Sequence, residues 1–177
     1  KTVTPTQTTS YTVTGTTGSC FDTETIQILV NPTPIVSITA SQAVICAGDD
    51  VTLEASGASI YTWDNGLGGG FSHVVSPTST TTYVVTGTMG GCSATASIEI
   101  TVVPAIDVNI AASQTTICPG DDVTLTASGA SNYAWADGLG TGSSIVVTPT
   151  QTTTYEVTGT SGGCVDTETI EIVVAPS

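Results

Sequence analysis

Hydrophobic and polar residues alternate with a period of two along most of the chain. Val51, Leu53 and Ala55 fall on one side of an extended segment, while Thr52 and Glu54 fall on the other. This alternation is typical of β-strands that bury one face. Comparable segments predict strands near 35–40, 51–56, 60–64, 72–76, 81–88 and 95–103. Runs of Gly and Pro between them predict tight turns.

A shift of 72 residues superimposes the sequence on itself. Segments 32–103 and 104–175 are identical at 46 of 72 positions, and residues 1–31 match the last part of the same repeat. The sequence therefore predicts a tandem array. The predicted domains are 1–31, the C-terminal part of a repeat; 32–103, a complete repeat; and 104–177, a complete repeat plus the first residues of the next. We expect the period to continue on both sides.

Strands with one apolar face at this spacing pack as two antiparallel sheets around a shared core. We expect six to seven strands in each 72-residue repeat. Each complete repeat holds one tryptophan, Trp63 or Trp135, which we place at the centre of its core. The predicted fold class is an all-β tandem of antiparallel β-sandwiches.

The charge balance excludes several partners. The chain has 15 Asp and Glu against a single Lys, for a formal net charge of -14. Proteins that bind nucleic acid neutralise phosphates with Lys and Arg, so we expect no nucleic-acid partner. The hydrophobic fraction of 39% is too high for a disordered chain. No apolar stretch is long enough to span a bilayer, and we expect no membrane insertion.

Several short motifs recur in both complete repeats, identically or with one substitution, and partly in residues 1–31. They are CAGDDVTL at 46–53, ASG at 55–57, YTW at 61–63, TTTYVVTGT at 80–88 and GC at 91–92. These motifs resemble the immunoglobulin-like and PKD-like repeats of large secreted surface proteins of Bacteroidota, including gliding-motility-associated adhesins. The resemblance implies an immunoglobulin-like sandwich and an extracellular, cell-surface location.

The five cysteines fall at two positions of the repeat: Cys20, Cys92 and Cys164 at one, Cys46 and Cys118 at the other. Their spacing lacks the Cys-x-x-Cys pattern of zinc sites. Local closure, together with the resemblance, which implies pairs within single repeats, predicts bridges Cys46–Cys92 and Cys118–Cys164 and leaves Cys20 unpaired. Persistent bridges imply an oxidising compartment.

A second pairing scheme stays open. With seven strand crossings per repeat, the loops that hold Cys46 and Cys92 lie at opposite ends of the sandwich. In that arrangement Cys46 faces Cys164 of the following repeat, across the junction. Six crossings would bring Cys46 and Cys92 together, so the number of strands decides between the two schemes.

Two Gly-Asp-Asp turns are candidate Ca²⁺ sites, because hard cations bind carboxylate oxygens. The candidate ligands are Asp49, Asp50, Asp121 and Asp122. The alternative is a turn in which an Asp side chain caps backbone N–H groups. We favour the cap, since a Ca²⁺ shell takes about six to eight oxygens and no dense Asp/Asn string supplies them.

The sequence has no recognisable catalytic motif, whether Gly-x-Ser-x-Gly or His-Glu-x-x-His. His73, the only histidine, has no counterpart in the other repeats. The Tyr61-Trp63 and Tyr133-Trp135 pairs could stack on a sugar, but their place within strands favours core packing. We therefore expect no enzymatic activity.

These observations predict a non-catalytic structural repeat of an extended extracellular stalk or fibre, a surface adhesin or filament. Its partners would be other repeats of the same chain or identical chains in a fibre. Two alternatives remain: a glycan- or protein-binding module, and a spacer region of a secreted enzyme. Near-identity of the repeats favours the stalk, because a single binding site would make the loops of one repeat differ. The sequence specifies no ligand.

Overall fold

A computed structural model describes residues 1–176. The strands are β1 Thr9–Thr17, β2 Cys20–Ile28, β3 Ser37–Ala40, β4 Val44–Cys46, β5 Val51–Ser56, β6 Ile60–Trp63, β7 Gly68–Gly69, β8 Ser72–Val75, β9 Thr81–Met89, β10 Cys92–Val103, β11 Asn109–Ala112, β12 Thr116–Ile117, β13 Val123–Ser128, β14 Asn132–Trp135, β15 Gly140–Thr141, β16 Ser144–Val147, β17 Thr153–Ser161 and β18 Cys164–Val174. A short 3₁₀ turn covers Ala136–Gly138. Within residues 1–176, no helix is long and apolar enough to cross a membrane.

Each complete repeat forms one five-stranded and one three-stranded sheet. The strand orders are β4-β10-β9-β6-β7 with β3-β5-β8, and β12-β18-β17-β14-β15 with β11-β13-β16. Strands β1 and β2 form a separate antiparallel hairpin. The predicted all-β, immunoglobulin-like β-sandwich is confirmed.

Two short strands per repeat raise the number of strands to eight. The additions are β4 and β7 in residues 32–103, and β12 and β15 in residues 104–175. Strand β4 runs parallel to the end of β10, with Val44 opposite Thr101 and Cys46 opposite Val103. This parallel edge determines where Cys46 lies.

The chain divides into two compact units whose boundaries differ from those of the repeats. Among the described residues, the first unit comprises 1–41, 52–75 and 82–99, and the second comprises 42–51, 76–81 and 100–176. Segments 42–51 and 76–81 join the second unit through backbone contacts. For example, the Ala47 N–H donates to the Val103 carbonyl at 2.9 Å, and the Gly48 N–H donates to the Pro77 carbonyl at 3.0 Å. The predicted domain boundaries at 32 and 104 stay predictions.

The core of the second unit follows the period-two pattern of β13. Val123 and Leu125 are fully buried against Val157 and Ile172 of the opposing sheet. Trp135 is 4% exposed, and its indole N–H donates to the Gly142 carbonyl at 3.0 Å. This bond satisfies the one polar group of a large apolar side chain.

The turn after β13 needs glycine. Gly129 has φ +97°, and a Cβ at this position would lie 1.8 Å from the Asp107 carbonyl oxygen. Gly57 repeats the arrangement, with a Cβ position 1.7 Å from the Ile35 carbonyl oxygen. No L side chain fits there without displacing the backbone.

Candidate functional site

In the described residues 1–176 there is one disulfide, between Cys46 and Cys164. The two cysteines are 118 residues apart in sequence, and their Cα atoms are 5.7 Å apart. Cys46 belongs to repeat 32–103 and Cys164 to repeat 104–175, while both lie in the second compact unit. The bond therefore joins two successive sequence repeats covalently.

Strand β4 and the turn after it position Cys46. Cys46 lies opposite Val103, and the Ala47 N–H donates to the Val103 carbonyl at 2.9 Å. The Asp49 carboxylate accepts the Cys46 N–H at 3.3 Å, and the Asp49 N–H donates back to the Cys46 carbonyl at 3.0 Å. The hydrogen bonds with Asp49 fix the backbone of Cys46 at both its N–H and its carbonyl.

Cys164 lies at the start of β18, directly after the hairpin turn at Gly162 and Gly163. It is 3% exposed. A Cβ on Gly162 would come within 2.8 Å of the Val103 side chain, so this turn packs against the residue that faces Cys46. Val103 thus lies opposite Cys46 and beside the turn that precedes Cys164, so the junction is packed as well as covalently bonded.

The predicted pairs Cys46–Cys92 and Cys118–Cys164 do not form, and the structure corrects this assignment. Ile117, next to Cys118, pairs with Val174 at the far end of the strand that Cys164 begins. Ten residues of strand separate the two positions, or about 33 Å at roughly 3.3 Å per residue. Bridged cysteines hold their Cα atoms within about 7 Å. The same argument separates Cys46 from Cys92.

Three cysteines are free: Cys20 and Cys118 are exposed, and Cys92 is half-buried. The bond in the structure spans 118 residues, and only one pair among the five cysteines has that separation. A bond between cysteines 118 residues apart can therefore form once within residues 1–177, and the other three cysteines stay free.

The two Gly-Asp-Asp turns have the geometry of capped turns. Asp121 accepts the Cys118 N–H at 3.3 Å, as Asp49 does in the preceding repeat. Asp50 accepts the Ser76 hydroxyl at 2.5 Å, and Asp122 is exposed. Within residues 1–176, no group of three or more His, Cys, Asp or Glu side chains could hold a metal ion. The first carboxylate of each turn supports the backbone beside a cysteine.

The aromatic residues considered for ligand binding serve packing. Trp63 is 4% exposed, and its ring stands edge-on to His73 with centroids 5.7 Å apart. The Tyr61 hydroxyl accepts the Ala58 N–H and donates to the Ala58 carbonyl, both at 2.8 Å. Tyr133 closes the same turn in the next repeat. The core interpretation of both tryptophans is confirmed.

No known protein-family model matches the sequence, and no curated protein matches it. Among solved structures, the chain is similar to murine CEACAM1b, with 13% identity over 80% of this chain and 100% of that chain and a TM-score of 0.41. It is similar to the three N-terminal domains of the outer capsid protein Hoc of bacteriophage RB49, with 20% identity over 80% of this chain and 59% of that chain and a TM-score of 0.41.

It is also similar to the N-terminal eight Ig domains of the Down syndrome cell adhesion molecule, with 14% identity over 96% of this chain and 27% of that chain and a TM-score of 0.42. With TM-scores of 0.41 to 0.42, these likenesses carry no conclusion about this chain, and the immunoglobulin-like fold is read from its own strands. The strand order of the chain establishes that fold directly.

Proposed function

We propose that this chain is a non-catalytic structural segment of an extended extracellular stalk or fibre on a bacterial surface, of the adhesin or filament type that the Bacteroidota resemblance implies. The observation that carries the proposal is the Cys46–Cys164 bond, because it ties one repeat to the next. An isolated binding domain has no need of such a bond. A disulfide of this kind persists in an oxidising, extracellular setting.

A second observation supports a repeating array. In the second unit, the Val103 side chain packs against the turn at Gly162. One period earlier, in the first unit, the Asn31 side-chain amide donates to the Gly90 carbonyl at 2.6 Å. The contact between the end of one repeat and a hairpin turn of the following repeat thus recurs after 72 residues. Recurrence is what a stalk requires and a unique site does not.

The bond also suits a chain under tension. When the termini are pulled, force passes through the disulfide and bypasses the residues between Cys46 and Cys164. The folded core in that interval is then protected from extension. The net charge of -14 favours a soluble, separated array, because like charges on neighbouring chains repel.

The binding-module alternative receives no comparable support. The tryptophans considered for sugar stacking, Trp63 and Trp135, are both 4% exposed, so neither presents its ring to a glycan. We accordingly assign the chain no enzymatic activity and no cofactor. Its proposed partners are other repeats of the same chain and identical chains in a fibre.

Electron microscopy of the native material, labelled with an antibody raised against this chain, tests the proposal. We expect label along a thin stalk or fibre at the cell surface. Label confined to compact, isolated particles would contradict it.

Single-molecule pulling on the 177-residue chain tests the mechanical role. The bridged chain should extend to a contour shorter by 118 residues, or about 420 Å at roughly 3.6 Å per residue, and reduction should release that length. The Cys118→Ala variant is the matched control and should behave like the parent chain. Full extension without reductant would contradict the mechanical role.

A further inference from the structure

The β1–β2 hairpin has the register of β17–β18 but lacks its cover. Tyr11 pairs with Ile26 as Tyr155 pairs with Ile170, 144 residues further on, which is twice the 72-residue period. All nine pairs of the two hairpins correspond in this way. The hairpin is therefore the final strand pair of a sandwich.

One face of this hairpin is apolar and uncovered. Val157 and Ile172 are fully buried in the second unit, whereas their counterparts Val13 and Ile28 are 66% and 36% exposed. Ile26 on the same face is 62% exposed. The face forms an open groove of about 440 Å³, which includes Val3, Tyr11, Val13, Glu24, Ile26 and Ile28. Exposed apolar side chains gathered on one sheet face indicate a binding surface.

The second unit shows what covers such a face. Strand β14 pairs with β17, β12 pairs with β18, and the β11-β13-β16 sheet supplies the opposing apolar residues. The Asp166 carboxylate accepts the Val108 N–H at 2.8 Å, which fixes the entry of the covering segment. Asp22 occupies the corresponding place on β2. All the covering residues come from the first two thirds of a repeat.

The position of Cys92 points independently to the same covering segment, the first two thirds of a repeat. Cys92 is one period before Cys164, it is free, and its sulfur lies 3.5 Å from the Asn31 carbonyl oxygen. In the bridged junction, Cys46 lies opposite Val103, the residue one period after Asn31. A strand placed against the end of β2 as β4 is placed against β10 would bring its cysteine beside Cys92.

We propose that the β1–β2 face binds the first part of another repeat, a segment with the pattern of residues 33–80 from outside residues 1–177, and that its cysteine bonds to Cys92. This inference rests on the proposed function and names the partner that the array uses. The two thiols lose two protons and two electrons to form the bond. A small disulfide such as glutathione disulfide takes up both and leaves as two thiols.

The test adds a synthetic peptide of residues 33–80 to the Cys118→Ala chain in a glutathione redox buffer. Cys20 and Cys92 are then the free thiols. We expect the peptide to bond to Cys92 at least tenfold faster than a scrambled peptide with one cysteine. Val13→Asp on the uncovered face should abolish the difference. Thr14→Asp, on the opposite face, should preserve it.

Two results would overturn the inference: equal rates for the native and scrambled peptides, or bonding spread equally over Cys20 and Cys92. Sedimentation of the chain without added peptide tests whether the uncovered face binds a second copy of this chain. A stable dimer that Val13→Asp dissociates would assign the face to a second copy of this chain instead. Failure of peptide capture leaves the fibre images unaffected, so the two proposals fail separately.

Discussion

Removing the Cys46–Cys164 bridge should destabilise the second unit strongly. The double variant Cys46→Ala with Cys164→Ala releases a closed loop of 118 residues. The chain-entropy estimate for such a loop is about 5 kcal/mol at 25 °C. For a protein of this size, each kcal/mol corresponds to roughly 2 to 4 °C in melting temperature, so we expect a decrease of about 10 to 20 °C.

Fluorescence of Trp135 during urea unfolding measures this loss. A Trp63→Phe change in every sample leaves Trp135, in the core of the second unit, as the only indole. The matched control is Cys118→Ala, because Cys118 occupies the same position of the repeat as Cys46 but is free and exposed. It should unfold within about 0.5 kcal/mol of the parent chain.

Reductant provides the second control. It should lower the stability of the parent chain to that of the double variant and leave the double variant unchanged. The reasoning is refuted if the double variant unfolds within about 1 kcal/mol of the Cys118→Ala control. It is also refuted if reductant destabilises both chains equally.

Three further predictions follow from local geometry. Gly129→Ala should lower the free energy of unfolding, measured with urea, by more than 3 kcal/mol, because the new Cβ meets the Asp107 carbonyl. Gly120 has a similar positive φ but open space around it, so Gly120→Ala should lower the same free energy by about 1 to 2 kcal/mol. Burial, and then the negative charge of Asp64, raises the pKa of Tyr83 above its usual 10.0, so the unfolded chain releases this proton first. Stability of the first unit should therefore fall as the pH rises above about 10, and less so in Asp64→Asn, as followed by urea unfolding between about pH 8 and 11. Calcium should leave the melting temperature unchanged in calorimetry, since the first carboxylate of each Gly-Asp-Asp turn already accepts a backbone N–H; a saturable rise would contradict the cap assignment.

The long strands were predictable because burial imposes their alternation. The residues of β13 that the pattern places inward, Val123, Leu125 and Ala127, are all buried. Both tryptophans follow the same alternation and lie in the core, where each is 4% exposed and buries a large apolar surface. These features follow from the sequence within each strand and need no information about distant partners.

The disulfide pairing could not be derived from the same pattern. Strands β4 and β12 have three and two residues, which is too short for a period-two alternation to be recognised in the sequence. Their partners are far away in sequence, as with Val44 and Thr101. Which end of the sandwich holds Cys46 depends on this non-local parallel pairing. The count of six to seven strands left both pairing schemes open, and local closure favoured the wrong one.

The uncovered hairpin shows the reverse case. The repeat pattern predicts that residues 1–31 are the last part of a sandwich, and this stays a prediction. The β1–β2 hairpin has the same register as β17–β18. What the pattern alone does not provide is the position of Cys92 beside Asn31. That contact depends on how the end of one repeat meets the hairpin turn of the next.

Peptide mapping without reduction tests the central claim most directly. Cleavage after aromatic residues is suitable, because Lys1 is the only basic residue for trypsin. This cleavage places Cys46 on peptide 22–61 and Cys164 on peptide 156–177. Cys92 and Cys118 lie together on a third peptide, 84–133. For the 177-residue chain alone, the account predicts one linked species, 22–61 joined to 156–177, with 84–133 free. A species in which 84–133 is joined to both other peptides would contradict the account.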